Sequence, residues 1–187
     1  MSNIEFIAAL IAFFGVLLTA RASILGWPFG IVGAILYSYI FIISGLYAES
    51  VLQALYVVFG FFGWYNWLSM GKTPENRPVI LLDTKTAILS VMIWFSGGFL
   101  IGYLLKNFSS GNSPYVDANL AVGGLVATYL MAKKSLQNWL FWIIIDLASA
   151  ALFFTRELYA TSFLYLTFTV LAVQGYILWK RELKEAS

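Results

Sequence analysis

One acidic residue lies deep inside an apolar stretch of this 187-residue chain: Asp146, in the run Ile-Ile-Ile-Asp-Leu-Ala. A carboxylate at the centre of a membrane helix costs about 2.5 to 3.5 kcal/mol to insert, so such a residue usually faces a bundle interior and marks a pathway. Three roles are open: binding a cation, taking up a proton during coupled transport, and accepting structural hydrogen bonds. Trp139 and Trp142 lie within two turns of Asp146, and aromatic faces beside a carboxylate favour the cation.

Other aromatic and polar side chains recur at helical spacing on two further apolar stretches. Gln53, Tyr56 and Trp67 share one stripe, and Tyr165 and Phe168 share another. A face that mixes rings with polar groups suits a flat polar ligand, which stacks on the rings and is oriented by a few donors and acceptors. These stripes therefore predict a binding site for a small molecule between helices.

Some of these residues also have purely structural interpretations. Tryptophans near helix ends often form a belt at the membrane surface, and this alternative is open for Trp27, Trp67, Trp94 and Trp179. Small residues let helices approach closely, and this is the preferred interpretation of the glycines on the first stripe, Gly60 and Gly63.

The composition excludes most enzyme chemistry. The chain has no cysteine and no histidine, which excludes thiolate and the usual zinc sites, histidine-ligated haem and histidine-based triads. We expect no enzymatic activity, no metal and no cofactor. Every lysine lies near a helix end or in a loop, so a retinal Schiff base is excluded as well. A net charge of +2 with scattered basic residues does not indicate nucleic-acid binding.

The elements that position these residues are membrane helices. Hydrophobic residues make up 61% of the chain and charged residues 11%, and a spanning helix needs about 20 mainly apolar residues. Seven such runs are predicted, at residues 4–20, 24–44, 50–70, 87–105, 118–132, 139–154 and 158–179. The longest polar segment, residues 71–86, is predicted to be an ordinary loop. The chain is therefore an all-α integral membrane protein.

The basic residues predict the orientation of these helices, because loops rich in lysine and arginine stay in the cytoplasm. With seven spans, nine of the 11 basic residues fall on one side and only Lys106 and Arg156 on the other. The N-terminus is therefore expected outside the cell and the C-terminus in the cytoplasm.

The two halves of the chain align with each other, without a gap, at a single constant offset in residue number. Trp27 aligns with Trp139, Gly63 with Gly175 and Trp67 with Trp179. The offset predicts a 3+1+3 parallel repeat, an architecture of transporters that bind substrate between the repeats. The predicted units are residues 1–70, a loop and linker helix over 71–112, and residues 113–187.

The chain resembles the PnuC family of bacterial vitamin transporters through nearly its whole length. The resemblance is carried by Gln53-x-x-Tyr56, Gly63-Trp64-Tyr65-Asn66-Trp67, Gln137-Asn138-Trp139-x-x-Trp142 and Gly175-Tyr176-x-x-Trp179. It implies a SWEET-like fold, a homotrimer in the bacterial inner membrane, and facilitated diffusion of unphosphorylated nicotinamide riboside or thiamine. A cytoplasmic kinase then traps the vitamin by phosphorylation.

The substrate is left open between these two vitamins. Nicotinamide riboside members tend to carry asparagine where this chain has Gly33 and Asp146, a departure that slightly favours thiamine. Both vitamins are flat aromatic cations, so charge does not separate them. The predicted substrate-binding residues are Gln53, Tyr56, Trp64, Asn66, Trp139, Trp142, Asp146, Tyr165 and Phe168. Proton symport through Asp146 and a membrane sensor or subunit that transports nothing are the alternatives.

Overall fold

The computed structural model describes residues 3–43, 47–69, 78–108, 113–157 and 159–185, and these form seven α-helices. In chain order they are α1 (Asn3–Ala20), α2 (Gly26–Ile43), α3 (Tyr47–Ser69), α4 (Thr84–Phe108), α5 (Pro114–Ala132), α6 (Asn138–Thr155) and α7 (Tyr159–Glu185). Each predicted span coincides with one helix, so the prediction of seven helices is confirmed. The predicted span ends at positions 44, 70 and 158 lie outside the described residues.

The helices have the length and surface of membrane spans. Six of them, α2 to α7, are long and apolar enough to cross a bilayer, and α1 contributes a shorter apolar stretch, Ile4–Ala20. Large apolar side chains such as Phe99 on α4 and Phe163 on α7 point outward and are exposed. Such a surface is stable in lipid, where apolar side chains need no cover from water.

Six helices pack in a closed ring and the seventh lies beside it. The order around the ring is α1, α2, α3, α5, α6 and α7, with α7 returning to α1, whereas α4 packs on α5. Glycines bring α4 close to α5: a Cβ on Gly98 or Gly102 would lie 2.9 Å from the Cα of Asn119 or 2.8 Å from that of Tyr115. The ring therefore has an interior in which polar side chains can face one another.

Four tryptophans fill one end of this ring, where α1, α3, α5 and α7 end; we call it the tryptophan end. Trp67 contacts Trp27 and Trp179 at ring-centroid distances of 5.5 and 6.0 Å, and Trp139 contacts Trp179 at 5.2 Å. All four side chains are buried. Trp94 is also buried, and its Nε1 donates to the carbonyl oxygen of Asn119. The alternative of a tryptophan belt at the membrane surface is therefore wrong for Trp27, Trp67, Trp94 and Trp179.

The glycines on α3 pack against α2. A Cβ on Gly60 would lie 2.6 Å from Ile31 Cγ1, and one on Gly63 would overlap the ring of Trp27. Their interpretation as close-packing points is confirmed.

Residues 78–83, the part of the predicted loop that is described before α4, make specific contacts, and residues 71–77 lie outside the described residues. Ile80 forms a parallel bridge with Ser135 of the α5–α6 loop. Asp83 then caps α4, because its carboxylate accepts hydrogen bonds from the hydroxyl and the backbone N–H of Thr86 at 2.6 and 3.0 Å. These bonds lower the pKa of Asp83 below its ordinary value. Backbone pairing between distant loops has no signature in hydropathy, which is why the sequence did not predict it.

Candidate substrate-binding site

Asp146 lies on α6 with only 4% of its surface exposed. Within the described part of the chain, no group donates a hydrogen bond to its carboxylate. A buried charge normally has a partner, because desolvation without compensation is costly. The structural role predicted as one alternative, accepting hydrogen bonds from Ser or Tyr neighbours, therefore has no support from the described residues. Ser149, one turn further along α6, is buried beside it on the same stripe.

Two aromatic side chains converge on a glycine of α5. A Cβ on Gly124 would overlap the hydroxyl of Tyr56 and would lie 3.7 Å from Cη2 of Trp142. Tyr56 extends from α3 and Trp142 from α6, so the bare backbone at Gly124 gives both rings room inside the helix ring. Trp142 keeps a buried indole N–H with no acceptor among the described residues.

Tyr165 connects these groups to α7. Tyr56 and Tyr165 lie within electrostatic range of each other and of the Asp146 carboxylate. The Tyr165 ring stacks on Phe153 at 5.3 Å and meets Phe168 edge-on at 6.1 Å. A carboxylate, two phenols and several ring faces from α3, α6 and α7 therefore share one region of the interior.

Other predicted site residues lie elsewhere. Trp139 belongs to the tryptophan end, two helical turns and about 10 Å along α6 from Asp146. Trp64 is packed against the same cluster and stacks on Phe61, and Asn66 is buried near the end of α3. Gln53 is half-buried one turn from Tyr56. The structure thus brings together Tyr56, Trp142, Asp146, Tyr165 and Phe168, and sets Trp64 and Trp139 nearer one end.

Sequence reasoning missed two members of this region. Tyr37 on α2 lies within electrostatic range of Tyr165, and Gly124 provides the space described above. The offset between the two halves contained a signal for Tyr37, because this position aligns with Ser149 on the Asp146 stripe. Gly33, by contrast, is a helix-packing position, because a Cβ added there would lie 3.5 Å from the backbone of Ala12 on α1.

Comparison with known proteins gives a family match over nearly the whole chain. The family model described as nicotinamide mononucleotide transporter matches residues 2–181. The nicotinamide riboside transporter PnuC of Escherichia coli is 26% identical over 215 residues, covering 99% of this chain and 88% of that protein. The riboflavin/roseoflavin transporter RibM of Streptomyces davaonensis is 25% identical over 163 residues, covering 85% and 76%.

The fold matches a solved transporter. The crystal structure of the vitamin B3 transporter PnuC superposes with a TM-score of 0.81 at 24% identity, covering all of this chain and 84% of that one. The resemblance noted from the sequence motifs is confirmed by these matches.

Proposed function

The chain belongs to the nicotinamide mononucleotide transporter family, also represented by PnuC, and from this membership we propose that it carries a flat vitamin cation across the bacterial inner membrane. The relatives compared above are all named as transporters, and we propose no enzymatic activity. The observation that carries the proposal is Asp146, a buried carboxylate without a hydrogen-bond donor among the described residues. A cation would supply the missing partner, and the rings of Trp142 and Tyr165 would cover its flat faces.

Two unphosphorylated vitamins fit this description. Nicotinamide riboside, a pyridinium, is the substrate named for the relative from Escherichia coli. Thiamine, a thiazolium, is the second candidate because Asp146 replaces the asparagine typical of nicotinamide riboside members. RibM is named for riboflavin, so members with similar sequences carry different vitamins.

A binding titration tests this proposal. The purified protein is titrated separately with thiamine and nicotinamide riboside while its tryptophan fluorescence is followed, since Trp142 lies in the site. Saturable quenching by one vitamin alone identifies the substrate. Riboflavin, which is flat but uncharged, is the control for stacking without charge. If neither cation binds, the proposed substrate class is wrong.

We also propose that the ring consists of two three-helix units, α1–α3 and α5–α7, with α4 as linker, as in a SWEET-like 3+1+3 repeat. The bounds of α2 and α6 are related at both ends by the offset that aligns Trp27 with Trp139. Ala22 and Lys134, which are related by the same offset, have φ values of 55° and 54°. The Trp27–Trp67 and Trp139–Trp179 pairs are both edge-on, at 83° and 81°. These correspondences support units close to residues 1–70 and 113–187, joined by 71–112.

The proposed mechanism is facilitated diffusion by rocking of the two units about the site. Phosphorylation by a cytoplasmic kinase keeps the free vitamin scarce, and the added phosphate charge makes return through an apolar path costly. The competing mechanism is proton symport through Asp146. Uptake into cells should continue after a protonophore collapses the proton gradient; uptake that stops while the kinase still has ATP would favour symport.

The proposed orientation has the N-terminus outside and the C-terminus in the cytoplasm. It is supported by Arg21, Lys133 and Lys180, which all lie at the tryptophan end, while Arg156 lies at the opposite end and pairs with Asp117 at 3.0 Å. The tryptophan end would then face the cytoplasm.

We further propose that the protein is the homotrimer implied by the family resemblance. Light scattering of the purified protein tests this oligomeric state.

A methyl group on Gly124 should impair binding without unfolding the protein. In Gly124→Ala the new Cβ would overlap the Tyr56 hydroxyl, so Tyr56 has to move within the site. We expect vitamin affinity to fall about tenfold, the effect of losing one interaction with a charged ligand. Gly30→Ala is the matched control, because its Cβ would meet nothing within 4 Å. Equal affinity in both variants would place Tyr56 outside the binding site.

A further inference from the structure

A short segment packs against the tryptophan end and is bonded to the loop between α5 and α6. We call residues 78–82, which precede α4, the strap. The Ile80 N–H donates to the Lys134 carbonyl oxygen at 3.0 Å, and the Leu136 N–H donates to the Ile80 carbonyl oxygen at 2.9 Å. A third bond runs from the Leu82 N–H to the side-chain oxygen of Gln137 at 3.1 Å.

The strap is also part of the hydrophobic cluster that closes this end. Val79 is 3% exposed and belongs to the same cluster as the four tryptophans. Leu81, two residues further along, is 59% exposed and points away from the cluster. A passage from the site to this end of the ring has to cross the cluster. Because Val79 belongs to the cluster, opening the cluster would also displace Val79.

The loop that receives the strap is held by a buried lysine. The Lys134 side chain is fully buried, its Nζ lies 2.7 Å from the Glu182 carboxylate on α7, and it lies 5.8 Å from the Trp67 ring centroid. The Trp67 indole in turn donates to the Met131 carbonyl oxygen at 3.3 Å. The loop therefore links α7 and α3 at the closed end.

The corresponding loop between α1 and α2 lacks these additions. Ala22 has the same backbone conformation as Lys134, and the Ser23 and Ser135 N–H groups make matching bonds to Leu18 and Leu130. Yet Ala22 has no side-chain charge, and within the described residues no bridge is formed to this loop. The strap and the lysine are thus additions to one of two otherwise similar loops.

We propose that the strap is a latch that holds the tryptophan end closed and has to detach from residues 134–136 before that end opens. The inference rests on the proposed transport function, because only a transporter needs this end to open. Hydrogen bonds of this kind are individually modest, so a few of them hold the latch closed and still allow it to open reversibly.

Cysteine labelling tests the latch without requiring transport. The chain has no cysteine, so Ala172→Cys, in the tryptophan cluster and 2% exposed, provides a single probe of opening. Ile80→Pro removes the N–H donated to Lys134. Leu81→Pro is the matched control, because within the described residues the Leu81 N–H makes no hydrogen bond. A maleimide should label the probe about fivefold faster in Ile80→Pro, as expected for one lost hydrogen bond, and at the parent rate in Leu81→Pro.

Equal labelling in the two proline variants would overturn the latch, as would faster labelling in both. Ser69→Cys, exposed at the end of α3, should react at one rate in every background and reports on the reagent. The melting temperature of each variant identifies any variant that has lost its fold. In that case the labelling rate of Ala172→Cys, measured with and without a reversible cross-link of the strap, decides whether the strap holds this end closed.

That cross-link is Ile80→Cys with Ser135→Cys, whose positions are paired in the bridge. Oxidation should abolish vitamin uptake into proteoliposomes, and a reductant should restore it. Unchanged uptake after complete oxidation would overturn the latch. If the reduced variant and the parent both carry no vitamin, the transport function is what fails, and the labelling rates still report whether the strap holds this end closed.

Discussion

Replacing Asp146 by asparagine is expected to weaken binding of the cationic vitamin by about tenfold to one hundredfold, the range for losing an interaction with a charged partner. The substitution keeps the shape of the side chain and removes its charge. Because no described residue donates a hydrogen bond to this carboxylate, the variant leaves no protein donor unpaired. Its thermal stability should therefore equal or exceed that of the parent. Titration by tryptophan fluorescence and a melting curve in detergent measure the two quantities.

Ser149→Ala is the matched control for Asp146→Asn. Ser149 is buried one turn away on the same helix face and carries no charge, so its removal should change affinity much less. Unchanged vitamin affinity in Asp146→Asn, together with a lower melting temperature, would assign Asp146 a structural role. It would also remove the observation on which the choice of a cation rests.

Replacing Gly175 by alanine is expected to destabilise the packing of the tryptophan cluster. A Cβ there would lie 2.6 Å from ring carbons of Trp139, which is 1% exposed and is held in place by Trp179. A planar ring has no flexible end that can yield, so the helices would have to separate. Overpacking of this kind costs about 1 to 3 kcal/mol, and a melting curve in detergent would report a lower midpoint.

Gly30→Ala is again the control, because it adds the same methyl group to a helix with nothing within 4 Å. It should be neutral or stabilising, since alanine is favoured over glycine in helices by about 1 kcal/mol. A Gly175→Ala variant as stable as Gly30→Ala would contradict the close packing of Trp139 against α7. Gly63→Ala, which overlaps Trp27 on the other side of the cluster, should behave as Gly175→Ala does.

The candidate site is chemically asymmetric although the two halves of the chain align. At the offset that aligns Trp27 with Trp139, Asp146 aligns with Ala34, Tyr165 with Gln53 and Phe168 with Tyr56. At these aligned positions a carboxylate is therefore present only in the second half of the chain. The proposed vitamins carry a charged ring at one end and uncharged groups at the other, so they have no two-fold symmetry. One asymmetric site per chain suits such a ligand.

Hydropathy and composition were sufficient to predict the number of helices and their approximate bounds. The length of an apolar run has to match the thickness of the bilayer, and this requirement does not depend on how the helices pack. Asp146 was identifiable for the same reason, because a carboxylate inside such a run is costly wherever the helix lies. The motifs around Trp139 and Gly175 were sufficient for the family.

Only the tertiary structure decided which face of each helix points inward. In a membrane protein, lipid-facing and protein-facing surfaces are both apolar, so the sequence pattern does not fix the rotation of a helix about its axis. That rotation assigns Trp27, Trp67 and Trp179 to a buried cluster, where a surface belt was also open. It also brings Tyr37 toward Tyr165. The strap depends on backbone bonds between segments that are far apart in the sequence, and these bonds exist only once the helices have packed.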